Sequence, residues 1–235
     1  MYNRLYFLHI HKTGGTFFDS AILEPEKNNL EKHGISIRPN KLVALSRHWA
    51  WHEDLTGNTS YIVAIFRDPV ERIVSHFCDW QKNMDMEISD DYPEQINKAN
   101  LFKFISNYKK PLTNYQSKVI LYDMPEINGY IEDKDFINIE FNEEILYSRL
   151  DRINLMIRTE DLMKIQYFNK IKNKIFFDIN IEPQLNGLPE IFEPHNNPYS
   201  KFLLDSLTTL EKHKIYLMND IDTKIYASNK YFWKP

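Results

Sequence analysis

Tyr61-Ile62-Val63-Ala64-Ile65-Phe66 is an unbroken apolar run that stops at Arg67-Asp68-Pro69, and it constrains the fold more than any other stretch of the chain. Continuous apolarity of this length suits a strand covered on both faces, and such strands belong mostly to parallel sheets. Asp68 can cap a helix and Pro69 suits its first position. Val70, Ile73, Val74 and Phe77 then recur at helical spacing. The run Leu5 to Ile10 behaves in the same way. It feeds a polar turn with Lys12, Gly14 and Gly15, and a helix is predicted from Thr16 to Ile22. Ile153 to Arg158 predicts a third strand, and Thr159-Glu160-Asp161-Leu162 opens a helix reaching about Lys174. Apolar strands alternating with helices predict an α/β fold with a central, mainly parallel sheet flanked by helices.

Length and charge bound the rest. A chain of 235 residues with 43% hydrophobic residues supports one sizeable core and is short for two, so a single domain over residues 1–235 is expected. The formal charge of −4 argues against a general nucleic-acid binder, whose affinity rests on net positive charge. Cys78 is the single cysteine, which leaves no intrachain disulfide. No apolar run approaches the ~20 residues of a membrane span, and the first strand begins close to Met1. Together these predict a soluble, cytoplasmic protein without signal peptide or anchor.

Between the three strands the pattern is more polar. Glu24 to Asn40, with Pro25, Gly34 and Pro39, reads as a connection with some short structure, and Leu42 to Leu45 as a short buried strand. Glu94 to Tyr108 and Asn114 to Tyr122 read as helices separated by Pro111, and Asp133 to Leu150 contains an amphipathic segment. Asn180 to Pro198 holds four prolines and Gly187 and reads as a long loop. From Tyr199 to Phe232 a helical pattern resumes in two segments.

The two strand-to-helix junctions point to chemistry. A glycine turn opening a helix presents backbone N–H groups to an anion. At the first junction Lys12 adds a mobile positive charge, and Thr13 and Thr16 add hydroxyl groups. At the second, Arg67 can fork onto a phosphate and Ser75, eight residues on, adds a donor. In a parallel sheet both junctions open at the carboxyl ends of the strands, where α/β folds bind ligands. Two anion sites on one edge suit a ligand with phosphates at two positions. The nucleoside-triphosphate signature Gly-Lys-Ser/Thr is missing, because Lys12 precedes the glycines.

Leu8-His9-Ile10-His11-Lys12-Thr13-Gly14-Gly15-Thr16 resembles the 5′-phosphosulfate loop of sulfotransferases, and Arg67-Asp68-Pro69-Val70-Glu71-Arg72-Ile73-Val74-Ser75 resembles their 3′-phosphate loop and helix. The nearest branch is that of the heparan sulfate 2-O and 6-O sulfotransferases and their bacterial relatives. Asn114-Tyr115-Gln116, Arg158 to Leu162, Asn197-Pro198-Tyr199-Ser200 and Asp220 to Phe232 extend the resemblance over most of the chain. It implies a P-loop-like three-layer fold. It also implies transfer of a sulfuryl group from 3′-phosphoadenosine 5′-phosphosulfate (PAPS) to a hydroxyl, of a carbohydrate or glycan, by in-line displacement, leaving 3′,5′-adenosine diphosphate. Lys12, Thr13, Gly14, Gly15, Thr16, Phe17, Arg67 and Ser75 would hold the donor, Lys12 would also act in catalysis, and no metal is expected. The family often has Pro at the place of His11 and a small hydroxyl residue at that of Phe17.

An acceptor hydroxyl must lose a proton, so a general base is expected. The resemblance assigns this role to His48, although the usual preceding glycine is Arg47 here, with His52 and Glu53 as fallbacks. A neutral imidazole near pH 7 suits the task. Trp49 and Trp51 are candidates for stacking on a sugar or on adenine, or for the core; His9 and His11 for shaping the loop; Gln116 and Lys118 for a helix near the site; Asn197 and Ser200 for closing over the nucleotide. A P-loop nucleotide kinase or other phosphotransferase is the alternative within enzymes, and a non-catalytic nucleotide-binding module the alternative outside them.

Overall fold

The computed structural model of the chain describes residues 2–38, 50–54, 56–84, 92–123, 138–183 and 198–234. Four strands form one parallel sheet: β1 (Arg4–Leu8), β2 (Ser36–Arg38), β3 (Ser60–Phe66) and β4 (Leu155–Arg158), in the order β2-β1-β3-β4. Pairing places Leu8 beside Ala64 and Phe66 beside Arg158, so β1, β3 and β4 end near one edge of the sheet. Every residue of β3 is buried, as its continuous apolarity requires.

Alternation along the strands divides the core between the two faces. Tyr6, Leu8, Ile62, Ala64, Phe66 and Met156 pack against helices Tyr115–Leu121 and Glu143–Arg152. Leu5, Phe7, Val63, Ile65, Leu155 and Ile157 pack on the other face, against the helical stretch after β1 and helix Ile165–Asp178. A third cluster joins helix Pro69–Met84, which leaves β3, to helices Lys98–Asn107, Pro198–Ser206 and Thr209–Met218. The α/β class with a flanked parallel sheet is thus observed.

The segment after β1 departs from expectation. Its helix does not stop at Ile22. Gly15–Phe18 runs through a π-helical turn, Asp19–Leu23, directly into helix Glu24–Lys32, with helical backbone at each join. Pro25 opens the last of these instead of breaking it, since the first helical turn needs no N–H at that position. The end is a Schellman motif. Gly34 takes φ of 75° and its N–H donates to the Glu31 carbonyl, while Ile35 N–H donates to that of Leu30. The chain then forms β2, an edge strand in a stretch that reads as a connection. The expected strand Leu42–Leu45 lies outside the described residues. The C-terminal region forms three helices where two were expected, Pro198–Ser206, Thr209–Met218 and Asp220–Ala227, and Phe232 then bridges to Met156 of β4.

Candidate functional site at the junctions after β1 and β3

The strand order sets the position of this site. The chain passes from β1 to β2 on one side, then returns to place β3 on the other. The carboxyl ends of β1 and β3 therefore flank the point where the order reverses, which is where open α/β sheets leave a crevice. Both junctions singled out in the sequence meet there. Arg67 Nη1 donates to the Lys12 carbonyl oxygen at 3.4 Å. A third junction locks them together: Thr159, directly after β4, donates its hydroxyl to the Thr13 carbonyl at 2.6 Å and reaches the Phe66 carbonyl at 3.1 Å.

The β1 loop is tightly shaped. Lys12 has φ of 63° and Gly14 φ of 92°, while Thr13 between them is not left-handed. A left-handed residue on either side of Thr13 bends the loop sharply, a shape compatible with an anion-binding nest. Thr13 is fully buried, and its hydroxyl donates to the Ile10 carbonyl at 2.9 Å, so it braces the loop. Gly14 owes its glycine to its φ; a Cβ there would also lie 2.9 Å from the flexible tip of Met163, which can shift aside. At Gly15 a Cβ would lie 2.2 Å from the ring of His9, which stacks on Phe7. Thr16 is exposed. The Phe17 side chain is buried edge-to-face against Phe168, leaving only its backbone to face a ligand.

At the second junction the backbone of Arg67 is gripped by Gln116. Its Nε lies 3.2 Å from Glu71 Oε2, one helical turn on. Arg67 and Ser75 line an open cleft of about 740 Å³, together with Ser200, Lys201, Lys212 and Tyr226. Tyr216 and Tyr226 on its wall donate their hydroxyls to Asp68 and Glu160; burial, and then these bonds, raise both phenol pKa values. The β1 loop does not contribute to that lining; Arg67 is what joins loop and cleft.

Lys12 Nζ lies 2.9 Å from Asp79 Oδ1, and His11 Nε2 lies 3.6 Å from Asp79 Oδ2. Asp79 escaped the sequence reading because the contact depends on how helix Pro69–Met84 crosses the loop. Gln116 was noted, but its hold on Arg67 was not. No local pattern announces either contact.

The remaining candidates separate. His48, Trp49 and Asn197 lie outside the described residues. Trp51 is fully buried, with the guanidinium carbons of Arg149 and Arg152 at 5.2 and 4.7 Å from its ring centroid, a structural placement. Glu53 accepts from Trp51 Nε1 and from Arg152. Burial pushes its pKa up, but those bonds and the charges of Arg152 and Arg149 outweigh it and hold it below the usual value. His52 is buried, and the Asp54 carbonyl just beyond accepts from Arg4, which opens β1. His52 and Glu53 therefore sit on a segment heading for the amino ends of the strands, away from the junctions. Lys118 is buried, donates to the Lys110 carbonyl at 2.5 Å, and has its pKa lowered by burial.

Among the described residues, no group of three or more His, Cys, Asp or Glu side chains is placed to hold a metal ion, and no helix is long and apolar enough to cross a membrane. No family model matches the chain, and no curated protein or solved structure matches it either.

Proposed function

We propose that the chain is a PAPS-dependent sulfotransferase acting on a hydroxyl-bearing acceptor, a carbohydrate or glycan, on a P-loop-like α/β domain. The observation that supports this best is the meeting of two cationic strand-to-helix junctions at the reversal point of the sheet, linked by Arg67 and Lys12. The residues fit a nucleotide with phosphates at two positions. The alternating loop and Lys12 suit one, and Arg67 with Ser75, on the wall of the cleft, suits the other.

The donor supplies a sulfuryl group on a phosphate that leaves readily. The residues of the chain then have positional and electrostatic tasks. Lys12 and the N–H groups of Gly14, Gly15 and Thr16 neutralise charge on the departing phosphate. Arg67 and Ser75 hold the phosphate at the far end. Gln116 and Thr159 fix the backbone that aims them. His48 is the proposed acceptor of the proton from the hydroxyl.

Thermal unfolding with added nucleotide tests this reading, because a ligand that binds only the folded state raises its apparent stability. Adenosine 3′,5′-bisphosphate is expected to raise the Tm. Stabilisation by ATP with Mg²⁺ and not by the bisphosphate would favour a phosphotransferase instead.

A further inference from the structure

Lys12 and Arg67 are each held by a carboxylate from the same helix. Pro69–Met84 presents Glu71 to Arg67 and Asp79 to Lys12. The two contacts differ in kind. Glu71 is a neighbour of Arg67 in sequence, one turn along an exposed helix face. Asp79 comes from far along the chain and lies across the loop. One of its oxygens is 2.9 Å from Lys12 Nζ, and the other is 3.6 Å from His11 Nε2.

We infer that Asp79 is the resident counter-ion of the β1 loop, occupying on Lys12 the position that an incoming anion must take, so that ligand binding is an exchange of carboxylate for phosphate. This rests on the reading of the loop as an anion site. A carboxylate and a phosphate compete for one ammonium, and the like charge of Asp79 opposes any anion brought close to Lys12. A small anion that engages the loop alone gains little from such an exchange. A ligand that also engages Arg67 gains a second contact and can displace the carboxylate. Asp79 thereby lowers the affinity of every anion at the loop, which leaves a single anion such as sulfate or inorganic phosphate weakly bound while a ligand that spans both junctions keeps a second contact.

The Lys12–Asp79 pair is partly exposed, so its removal has a modest effect of the size seen for surface pairs. Calorimetric titration of the full chain with adenosine 3′,5′-bisphosphate, and separately with inorganic sulfate, tests the inference. Asp79→Asn is expected to tighten the bisphosphate about two- to fivefold and to tighten sulfate by at least as much. Asp151→Asn removes the same charge from a pair with Lys230 elsewhere on the surface and is expected to leave both affinities unchanged. Should Asp79→Asn not fold, Asp79→Ser makes the same comparison with the same two outcomes. Equal or weaker bisphosphate binding by the Asp79 variant, with binding intact in the wild type, overturns the inference and leaves the anion site standing. Tightening of the same size in Asp151→Asn also overturns it, as a general charge effect. Absence of bisphosphate binding in wild type and variant alike overturns the anion site and the inference together.

Discussion

The side-chain amide of Gln116 holds both backbone groups of Arg67: its Oε1 accepts from the Arg67 N–H at 2.9 Å, and its Nε2 donates to the Arg67 carbonyl at 2.9 Å. Arg67 follows the last residue of β3, where the ladder ends and both groups need other partners. Gln116 is in turn set by Asp222, a fully buried carboxylate that accepts from the N–H groups of Gln116 and Ser117 and from the Ser117 hydroxyl. The aim of a candidate ligand-binding arginine is thus fixed from the far side of the core.

Gln116→Ala is therefore expected to leave two backbone groups of Arg67 without partners and to cost ~1–3 kcal/mol of stability. Affinity for adenosine 3′,5′-bisphosphate should fall as well. Gln116→Glu sets a carboxylate oxygen against the Arg67 carbonyl in a fully buried site, so its midpoint in a denaturant titration should also lie below that of wild type.

Gly15→Ala should be destabilising because of His9. The added Cβ meets the ring at 2.2 Å, and the ring is backed by Phe7. Overpacking of this kind costs ~1–3 kcal/mol. Combining it with His9→Ala should recover part of the loss, and a double-mutant cycle measures that coupling. Additive losses would mean that the ring does not set the requirement for glycine.

Asp19, on the π-helical turn after the loop, gives a pH signature. Burial, and then the charge of Glu24, raise its pKa from 3.8 to about 8. The folded state binds the proton more tightly than the unfolded chain, so this contribution is fully present below pH ~4. It is lost progressively as pH rises through about 8, with a slope of up to ~1.4 kcal/mol per pH unit. Asp19→Asn should flatten stability over that window and be more stable than wild type at pH 9 than at pH 5, relative to the same comparison. Denaturant midpoints at those two pH values check it.

The buried pair of Lys172 and Glu26, 2.9 Å apart, ties helix Ile165–Asp178 to helix Glu24–Lys32, and Asn29 also donates to Glu26. Glu26→Ala removes the carboxylate of this buried pair and should cost ~3–5 kcal/mol. Replacing both by Leu and Met should be far milder. Thermal melts of the single and double variants separate the two outcomes.

The residues that made the site legible in the sequence are those whose role is local. β1, β3 and β4 are apolar runs, and the turns after β1 and β3 show Lys12, Gly14, Gly15 and Arg67 in plain order. β2 is three residues long at an edge and has no pattern to reveal it. Helix Glu24–Lys32 had signals, Pro25 at its start and Gly34 after its end, but taking proline and glycine as breakers hid them. Asp79 beside Lys12, Gln116 around Arg67 and Thr159 on Thr13 depend on where helices cross the sheet, and spacing along the chain does not encode that.

The proposed function rests on a two-phosphate site shared by Lys12 and Arg67. Calorimetry comparing adenosine 3′,5′-bisphosphate with adenosine 5′-monophosphate, on wild type, Lys12→Ala and Arg67→Ala, tests it most directly. Wild type is expected to bind the bisphosphate at least about tenfold tighter, the equivalent of ~1.4 kcal/mol; Arg67→Ala should erase most of that preference, and Lys12→Ala should weaken both ligands. Equal affinity of wild type for the two nucleotides, or a preference untouched by Arg67→Ala, would contradict it.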